Sequence, residues 1–300
     1  MRFSINFPKR PIFFFLCSLP LVSCGTQQLK SSDFTEAFAF TKGIEGPAVD
    51  GKGNLYAVNF KEEGTIGIVN AKGKGRIFLK LPNNSLGNGI RFDRAGNMFV
   101  ADYVSHTVYK VPKGTNTPLV WVREPKMNQP NDLVVVADGT LYLSDPDWKN
   151  KNGKLWMVDP EKKVILLEDN MGTTNGLEVD PSGKFLYVNE SVQRTIWRYQ
   201  IRENGRLFDK TRFMTFPDFG LDGMRCDEKG NLYITRHGKG TVLIVSPDKE
   251  IIKEVELKGK KPSNITFGGK NGRTCYVTMA DRGCFEQFRA PYKGAYFRKE

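Results

Sequence analysis

Histidine and cysteine are scarce in this chain, and their arrangement excludes several kinds of catalytic centre. Only two histidines occur in 300 residues, His106 and His237, and no Gly-x-Ser-x-Gly elbow accompanies them, which argues against a Ser-His-Asp hydrolase. The five cysteines contain no Cys-x-x-Cys pair, which argues against a zinc site of that type. Cys275 and Cys284 are open to two interpretations, a disulfide across a hairpin or buried free thiols.

The chain also lacks an apolar run long enough to span a membrane. Its longest apolar run lies near the N-terminus. Residues 11–21 are dominated by Ile, Phe, Leu and Val and follow Arg2, Lys9 and Arg10. This run is well below the roughly 20 residues that a spanning helix needs, and a charged segment followed by a short apolar segment is typical of a secretory signal.

The segment after this signal predicts how the chain is anchored. Leu21-Val22-Ser23-Cys24-Gly25 resembles the processing site of bacterial lipoproteins, in which the cysteine becomes the acylated first residue. We therefore predict a signal peptide over residues 1–23, lipidation at Cys24 and a tether over residues 24–38. We expect an exported bacterial lipoprotein in the periplasm or on the cell surface, attached to a membrane only by its lipid anchor. An ordinary signal peptidase site with an incidental cysteine is the alternative.

The charge of the chain is basic but evenly distributed. The formal net charge is +12, and removal of Arg2, Lys9 and Arg10 with the signal leaves 42 cationic against 33 acidic side chains, or +9. The lysines are scattered and form no arginine-rich run or recognisable nucleic-acid module, so nucleic-acid binding is not expected. We expect a monomer with a solvated basic surface.

An internal repeat predicts the fold. Asp50-Gly51-Lys52-Gly53-Asn54-Leu55-Tyr56 recurs around Phe99 and Tyr233, with looser copies ending at Tyr142, Tyr187 and Tyr276. The spacings between these aromatic residues are 43, 43, 45, 46 and 43, a period typical of propeller blades. With 30 glycines to form turns, the pattern predicts an all-β, six-bladed β-propeller of four-stranded blades over residues 39–300. Phe34 to Phe40 is expected to supply the strand that completes the last blade, because too few residues follow Tyr276.

A second feature repeats in phase with the aromatic residues. Eleven or twelve residues before each of them stands an acidic or amide side chain: Glu45, Asn88, Asn131, Asn175, Asp222 and Asn264. Rotational repetition predicts that these six side chains form one ring around the central channel. Carboxylate and amide oxygens without thiolates suit a hard cation, although Asn and Asp also cap turns by bonding to nearby backbone.

The residues around this ring carry a resemblance to a known family. Glu45-Gly46-Pro47, Pro130-Asn131-Asp132, Asn175-Gly176-Leu177 and Asp222-Gly223-Met224 resemble the motifs of the gluconolactonase, regucalcin (senescence marker protein) and luciferin-regenerating enzyme family. The resemblance implies a divalent metal in the channel, with Glu45, Asn175, Asp222 and Asn131 as ligands and Asp222 as general base. Calcium is the expected ion, with magnesium, manganese and zinc as alternatives.

The same resemblance implies hydrolysis of a lactone or related cyclic ester, a small-molecule substrate. The expected substrate-side residues are Asn131, Asn88, Asn264, Gln129, Asp145, Trp148 and His237. For Asp145, and for Asp132, Asn59, Asp102 and Arg236 near the same mouth, bracing of the turns is an equal alternative. Gln129 is a departure, because the animal lactonases of this family carry an arginine there to hold sugar hydroxyls. Two other functions stay open: an esterase similar to paraoxonases and phosphotriesterases, and a non-catalytic ligand-binding lipoprotein with structural calcium.

Overall fold

A computed structural model describes residues 1–4 and 29–297 of the chain. The predicted signal beyond residue 4, Cys24 and the tether up to residue 28 lie outside the described residues. Within the described part there are strands and no α-helix, and accordingly no helix there is long and apolar enough to cross a membrane. The strands form six separate four-stranded sheets, which confirms the predicted six-bladed propeller.

Each of blades 1 to 5 consists of four consecutive antiparallel strands, innermost strand first. Blade 1 contains β2 (Ala48–Val49), β3 (Leu55–Val58), β4 (Thr65–Val69) and β5 (Gly75–Lys80). Blade 2 contains β6 (Gly87–Phe92), β7 (Met98–Asp102), β8 (Thr107–Val111) and β9 (Leu119–Arg123). Blade 3 contains β10 (Leu133–Val135), β11 (Leu141–Asp147), β12 (Asn152–Val158) and β13 (Val164–Met171). Blade 4 contains β14 (Thr174–Val179), β15 (Phe185–Glu190), β16 (Thr195–Ile201) and β17 (Leu207–Thr215). Blade 5 contains β18 (Met224–Cys226), β19 (Leu232–Arg236), β20 (Thr241–Val245) and β21 (Ile251–Glu256).

Blade 6 is completed from the opposite end of the chain. It contains β22 (Pro262–Gly268), β23 (Thr274–Met279) and β24 (Cys284–Arg289), and its outermost strand is β1 (Ser32–Asp33). The closure was predicted, but its position was not: the paired residues are Ser32 with Gln287 and Asp33 with Glu286, just before the expected stretch of residues 34–40. The predicted boundary at residue 39 is therefore wrong, because part of the predicted tether belongs to the propeller.

The repeated motif forms the turn between the first two strands of a blade. In blade 1 the Asp50 carboxylate accepts hydrogen bonds from the backbone N–H and the side-chain Nδ2 of Asn54, both at 2.9 Å, and from the hydroxyl of Tyr56 at 3.0 Å. Gly53 takes a positive φ of 84°, a conformation that side chains with a Cβ rarely adopt. The motif is thus a hydrogen-bonded turn whose aromatic residue lies on the second strand.

Apolar side chains fill the spaces between neighbouring blades. Between blades 1 and 2, for example, Val58, Ile66, Ile90 and Val100 are fully buried in one cluster. Burying each such side chain contributes about 1.5–3 kcal/mol relative to leaving it exposed. The central channel is therefore surrounded by a rigid wall that fixes the loops at its ends.

The three cysteines of the described residues are free and buried. Cys275 lies opposite Phe288 and Cys284 opposite Met279 in the β23–β24 hairpin. The register of the hairpin therefore separates them along it, so the free-thiol interpretation is correct.

Candidate metal and catalytic site

The predicted ring lies at one end of the channel, which we call the ring end. Strand direction alternates within an antiparallel blade, so the loops before each innermost strand and the loops between second and third strands share this end. Asn175 and Asn264 are buried, and the other four ring residues are partly buried. The structure thus brings acids and amides from six blades to one end of one channel. We call the opposite mouth of the channel the far end.

Glu45 connects the first blade to the last. Its Oε2 accepts hydrogen bonds from the backbone N–H of Gly46 at 2.7 Å and from Nδ2 of Asn264 at 3.0 Å. Burial, followed by repulsion from the carboxylates of Asp222 and Asp132, raises the pKa of Glu45 well above its ordinary value. The ring therefore concentrates negative charge in a place with little water, an arrangement that a cation would stabilise.

Asp222 lies beside an amide and an imidazole. Burial raises the pKa of Asp222, while interactions with His237 and Asn175 act in the opposite direction. Nδ1 of His237 lies 3.4 Å from Oδ2 of Asp222 without a well-aligned hydrogen bond. The interaction with Asp222 raises the pKa of His237. The Asp222 backbone is held on both sides, since its N–H donates to Thr235 at 3.1 Å and its carbonyl accepts from Asn189 Nδ2 at 2.5 Å.

Asn131 and Asn88 are joined by a longer hydrogen bond than the one between Glu45 and Asn264. Nδ2 of Asn88 donates to the backbone carbonyl of Asn131 at 3.3 Å. Oδ1 of Asn131 is buried and has no hydrogen-bond donor among the residues that the structure describes. A buried acceptor without a partner is costly, and a cation ligated by this oxygen would remove that cost.

Glycine follows four of the six ring residues and allows neighbouring blades to approach each other. A Cβ on Gly46 would lie 2.0 Å from the Asn88 carbonyl oxygen, and one on Gly223 would lie 1.9 Å from Oδ1 of Asn264. Gly89 and Gly176 are similarly close to the next blade. The glycines of the family-like motifs are therefore required by inter-blade packing at the channel axis.

Asp132 replaces glycine at this position and connects the ring to a layer of buried charges below it. Its carboxylate forms ion pairs with Nη1 of Arg91 at 3.0 Å and Nη1 of Arg225 at 3.5 Å. Nε of Arg225 lies 3.7 Å from Oε2 of Glu178. The sequence analysis did not predict this layer. Arg91, Glu178 and Arg225 each stand three residues after a ring residue, and this constant spacing is the signal that could have identified them.

The predicted substrate-side residues divide into two groups. Asp145 is buried, and its carboxylate accepts hydrogen bonds from the backbone N–H groups of Asn128 and Gln129 and from Nε1 of Trp156. This placement favours bracing of the loop over substrate contact. Gln129 is partly exposed beside Asn131, Trp148 is exposed on the β11–β12 loop, and His237 is partly exposed on the β19–β20 loop, all at the ring end.

Other polar strand ends brace loops as well. The Asn59 side chain bonds the backbone of Gly43 and Gly64, and the Asp102 carboxylate accepts from the N–H groups of Leu86 and Val104. Arg236 donates to the Asp218 carboxylate at 2.7 Å. These contacts use the side chains within the protein and leave the ring as the chemically distinctive site.

A cavity of about 310 Å³ lies at the far end of the channel. Arg91, Glu178 and Arg225 contribute to its lining, and so does Tyr296 of the C-terminal segment. The ring residues do not line this cavity. We place the candidate chemistry at the ring because the crowded carboxylates and the unpartnered amide oxygen lie there.

The ring fits a hard divalent cation. Among residues 29–297, no three His, Cys, Asp or Glu side chains are grouped to hold a metal ion, so amide oxygens would have to complete the coordination. Glu45 and Asp222 provide two carboxylates, and Asn175 and Asn131 provide two amides. Calcium accepts six to eight oxygen ligands of these types, with water filling the remaining positions.

Known proteins similar to this chain include sugar lactonases. The chain is 30% identical over 219 residues to a protein named gluconolactonase from Zymomonas mobilis subsp. mobilis, a match that covers 64% of this chain and 60% of the relative. It is 27% identical over 164 residues to 6-deoxy-6-sulfogluconolactonase from Pseudomonas putida, covering 53% and 55%. The matches thus span less than two thirds of these relatives' lengths.

A solved structure and a family profile complete the comparison. The crystal structure of a calcium-binding protein, regucalcin, from Agrobacterium tumefaciens has a TM-score of 0.77, with 18% identity and coverage of 90% of this chain and 97% of that one. At this identity the likeness shows the fold alone. The profile of the SMP-30/Gluconolactonase/LRE-like region matches residues 43–281. With the propeller and the ring motifs in place, the chain belongs to the SMP-30/gluconolactonase/LRE-like family.

Proposed function

We propose that this chain is a metal-dependent hydrolase of a lactone or related cyclic ester, with its reaction centre at the ring. The observation that carries the proposal is the pair of acids Glu45 and Asp222, where burial and then repulsion from Asp222 raise the pKa of Glu45, beside the unpartnered Oδ1 of Asn131. The relatives named gluconolactonase and 6-deoxy-6-sulfogluconolactonase support the reaction class. The calcium-binding regucalcin supports a divalent ion.

Glu45, Asn175, Asp222 and Asn131 would hold the ion. When bound there, a divalent cation would polarise a carbonyl oxygen and would make a nearby water more acidic. Asp222 then accepts a proton from the attacking water as general base. The water oxygen bonds to the carbonyl carbon, the ring C–O bond breaks, and the proton passes from Asp222 to the departing alkoxide, so that the product is a hydroxy acid.

The neighbours of Asp222 orient it for this role. The backbone contacts from Thr235 and Asn189 fix the loop, and His237 lies 3.4 Å away on the solvent side. Gln129 and Trp148 flank the mouth as substrate-side residues. Because Gln129 cannot reproduce an arginine's paired donors to sugar hydroxyls, we propose a cyclic ester other than a sugar-acid lactone.

The test is a comparison of turnover and metal binding in matched variants. The purified chain is assayed with calcium against a panel of lactones, aryl esters and phosphotriesters, before and after chelation. Asp222→Asn should keep the ion but lose about 10²- to 10⁴-fold in kcat, whereas Asp248→Asn, an exposed acid in a far-end turn, should match the parent. Full activity of Asp222→Asn would contradict the proposal. So would a chain that binds calcium but hydrolyses none of the compounds in the panel.

We also propose that the chain is exported and lipidated at Cys24. The sequence Leu21-Val22-Ser23-Cys24-Gly25 supports this proposal. Metabolic labelling with a fatty-acid analogue should mark the chain in membrane fractions, and Cys24→Ala should remove the label. Labelling that survives this substitution would contradict it.

A further inference from the structure

In the described part of the chain, five large apolar side chains are exposed on loops at the ring end. We call them the apolar rim: Phe38, Val104, Trp148, Val192 and Phe219, each between 40 and 69% exposed. Val104, Trp148 and Val192 lie on the loops between the second and third strands of blades 2, 3 and 4. Phe219 precedes the innermost strand of blade 5. The rim therefore draws one residue from each of four successive blades, with Phe38 at the junction of blades 1 and 6.

The loops hold these side chains outward. The N–H of Phe38 donates to the carbonyl of Arg282 in blade 6 at 2.8 Å, and the next residue, Ala39, accepts from Lys61 of blade 1 at 3.1 Å. The N–H of Gly220, after Phe219, donates to His237 at 3.0 Å. Folding gains nothing from such exposure, and apolar side chains grouped on one face are typical of an interaction site.

Cationic side chains accompany the apolar rim. Lys149 and Lys151 follow Trp148, Arg194 follows Val192, and Lys42 and Lys61 lie on the segments beside Phe38, all of them exposed. Glu62, Glu63 and Asp218 are exposed acids of the same loops, so the two loops nearest Trp148 and Val192 are the most basic. Apolar side chains next to lysine and arginine suit a membrane surface with anionic lipid better than a neutral protein partner.

The N-terminal segment enters the propeller at the same end. The carbonyl of Leu29 accepts a hydrogen bond from the N–H of Glu256 at 3.2 Å. Glu256 pairs with Thr241, which follows a ring-end loop. Four residues lie between Cys24 and Leu29, so the five Cα–Cα steps reach at most about 18 Å when extended. An anchor at Cys24 would therefore hold the ring end, not the far end, near a bilayer.

We propose that the apolar rim docks on the surface of a bilayer that contains anionic phospholipid, so that the channel mouth with the ring faces the lipid. The rim inserts Phe38, Trp148 and Phe219 at the level of the headgroups, and Lys149, Lys151 and Arg194 contact lipid phosphates. This docking is separate from the lipid anchor, and the two would act together, since a single weak attachment binds a membrane only marginally. It does not depend on the reaction at the ring.

Fluorescence quenching by brominated lipid tests the docking. The full chain, as processed by a bacterial expression host, is mixed with vesicles of phosphatidylcholine containing 30% phosphatidylglycerol, with bromine on the acyl chains. Trp148 is one of four tryptophans, so the difference from Trp148→Phe isolates its signal. We expect quenching of the Trp148 signal by about twofold, because tryptophan at a membrane interface sits at the headgroup level.

Two variants and a control decide the result. Phe38→Asp/Phe219→Asp should restore the Trp148 signal, and Lys149→Gln/Lys151→Gln should weaken vesicle binding by about 30-fold. Ile251→Asp, an equally exposed change on an outer strand, should behave as the parent. Vesicle association with an unquenched Trp148, equal quenching in the rim variants, or rim variants that change only the KM for a soluble lactone would overturn the proposal.

Discussion

The side-chain amide of Asn264 donates a hydrogen bond of 3.0 Å to Oε2 of Glu45, across the seam where the last blade meets the first. A second contact crosses the same seam, from Oγ of Ser263 to the carbonyl of Ile44 at 2.8 Å. One proposed metal ligand is thus positioned by the closure of the propeller. Ring geometry and ring closure are therefore physically linked.

Removing the seam amide should affect both stability and metal binding. Asn264→Ala deletes the donor to Glu45 and leaves a buried carboxylate oxygen short of a partner, which should cost about 1–3 kcal/mol in the free energy of unfolding. Urea unfolding with and without calcium measures the free energy of unfolding and its change on metal binding. Asn271→Ala, an exposed control, should leave both unchanged. Equal stability of the two variants would show that the seam contact contributes nothing.

Two glycines with positive φ should differ in how much stability the protein loses when each is replaced by alanine, because only one of them is closely packed at the channel axis. Gly46 and Gly53 both have positive φ, 61° and 84°, but a Cβ on Gly46 would meet the Asn88 carbonyl at 2.0 Å while one on Gly53 meets nothing within 4 Å. Gly46→Ala should therefore destabilise the protein by about 1–3 kcal/mol more than Gly53→Ala. Thermal unfolding of both variants measures this difference, and similar losses would refute the packing argument.

Glu178 predicts a pH dependence of stability. Burial, its largest influence, raises the pKa of Glu178 to about 7 from 4.5. Between those values the unfolded chain releases the proton while the folded chain keeps it, so stability falls as pH rises, by about 3 kcal/mol for this group. The free energy of unfolding of Glu178→Gln relative to the parent should therefore rise by that amount from pH 4.5 to 7.5. A pH-independent difference would contradict the assignment.

The strand that closes the propeller should weaken in acid. Hydrogen bonds from Arg282 and then Lys258 lower the pKa of Asp33 to about 2 from 3.8. A depressed pKa contributes stability above pH 3.8 that is lost as pH falls toward 2. The melting temperature of the parent should drop more steeply over this range than that of Asp33→Asn, as followed by circular dichroism. Parallel curves would show that the ion pairs are screened by solvent.

The repeat made the propeller and the ring predictable from sequence, because rotational symmetry converts equal spacing into equal position. The closing strand was misplaced because Ser32 and Asp33 are selected by their pairing with Gln287 and Glu286, not by local alternation. The sequence left Asp145 open between substrate contact and bracing, and the choice depends on the N–H groups of Asn128 and Gln129, which occupy its carboxylate. Such partners become visible only in three dimensions.

The buried charges below the ring show the same limit. Arg91 and Arg225 come from blades 2 and 5 and meet at Asp132 of blade 3. Their phase, three residues after Asn88 and Asp222, is visible in the sequence. Their mutual compensation depends on packing across the channel, and a lone buried arginine would otherwise be unexpected.

The most direct test of the proposed metal site is a crystal structure of the chain grown with calcium, with the ion located by anomalous scattering. We predict one ion at the ring, with oxygens of Glu45, Asn175 and Asp222 at about 2.3–2.6 Å and with Oδ1 of Asn131 within reach, and no ion in Glu45→Gln/Asp222→Asn. A ring without bound calcium, its carboxylates and amides bonded only to neighbouring protein groups, would contradict it.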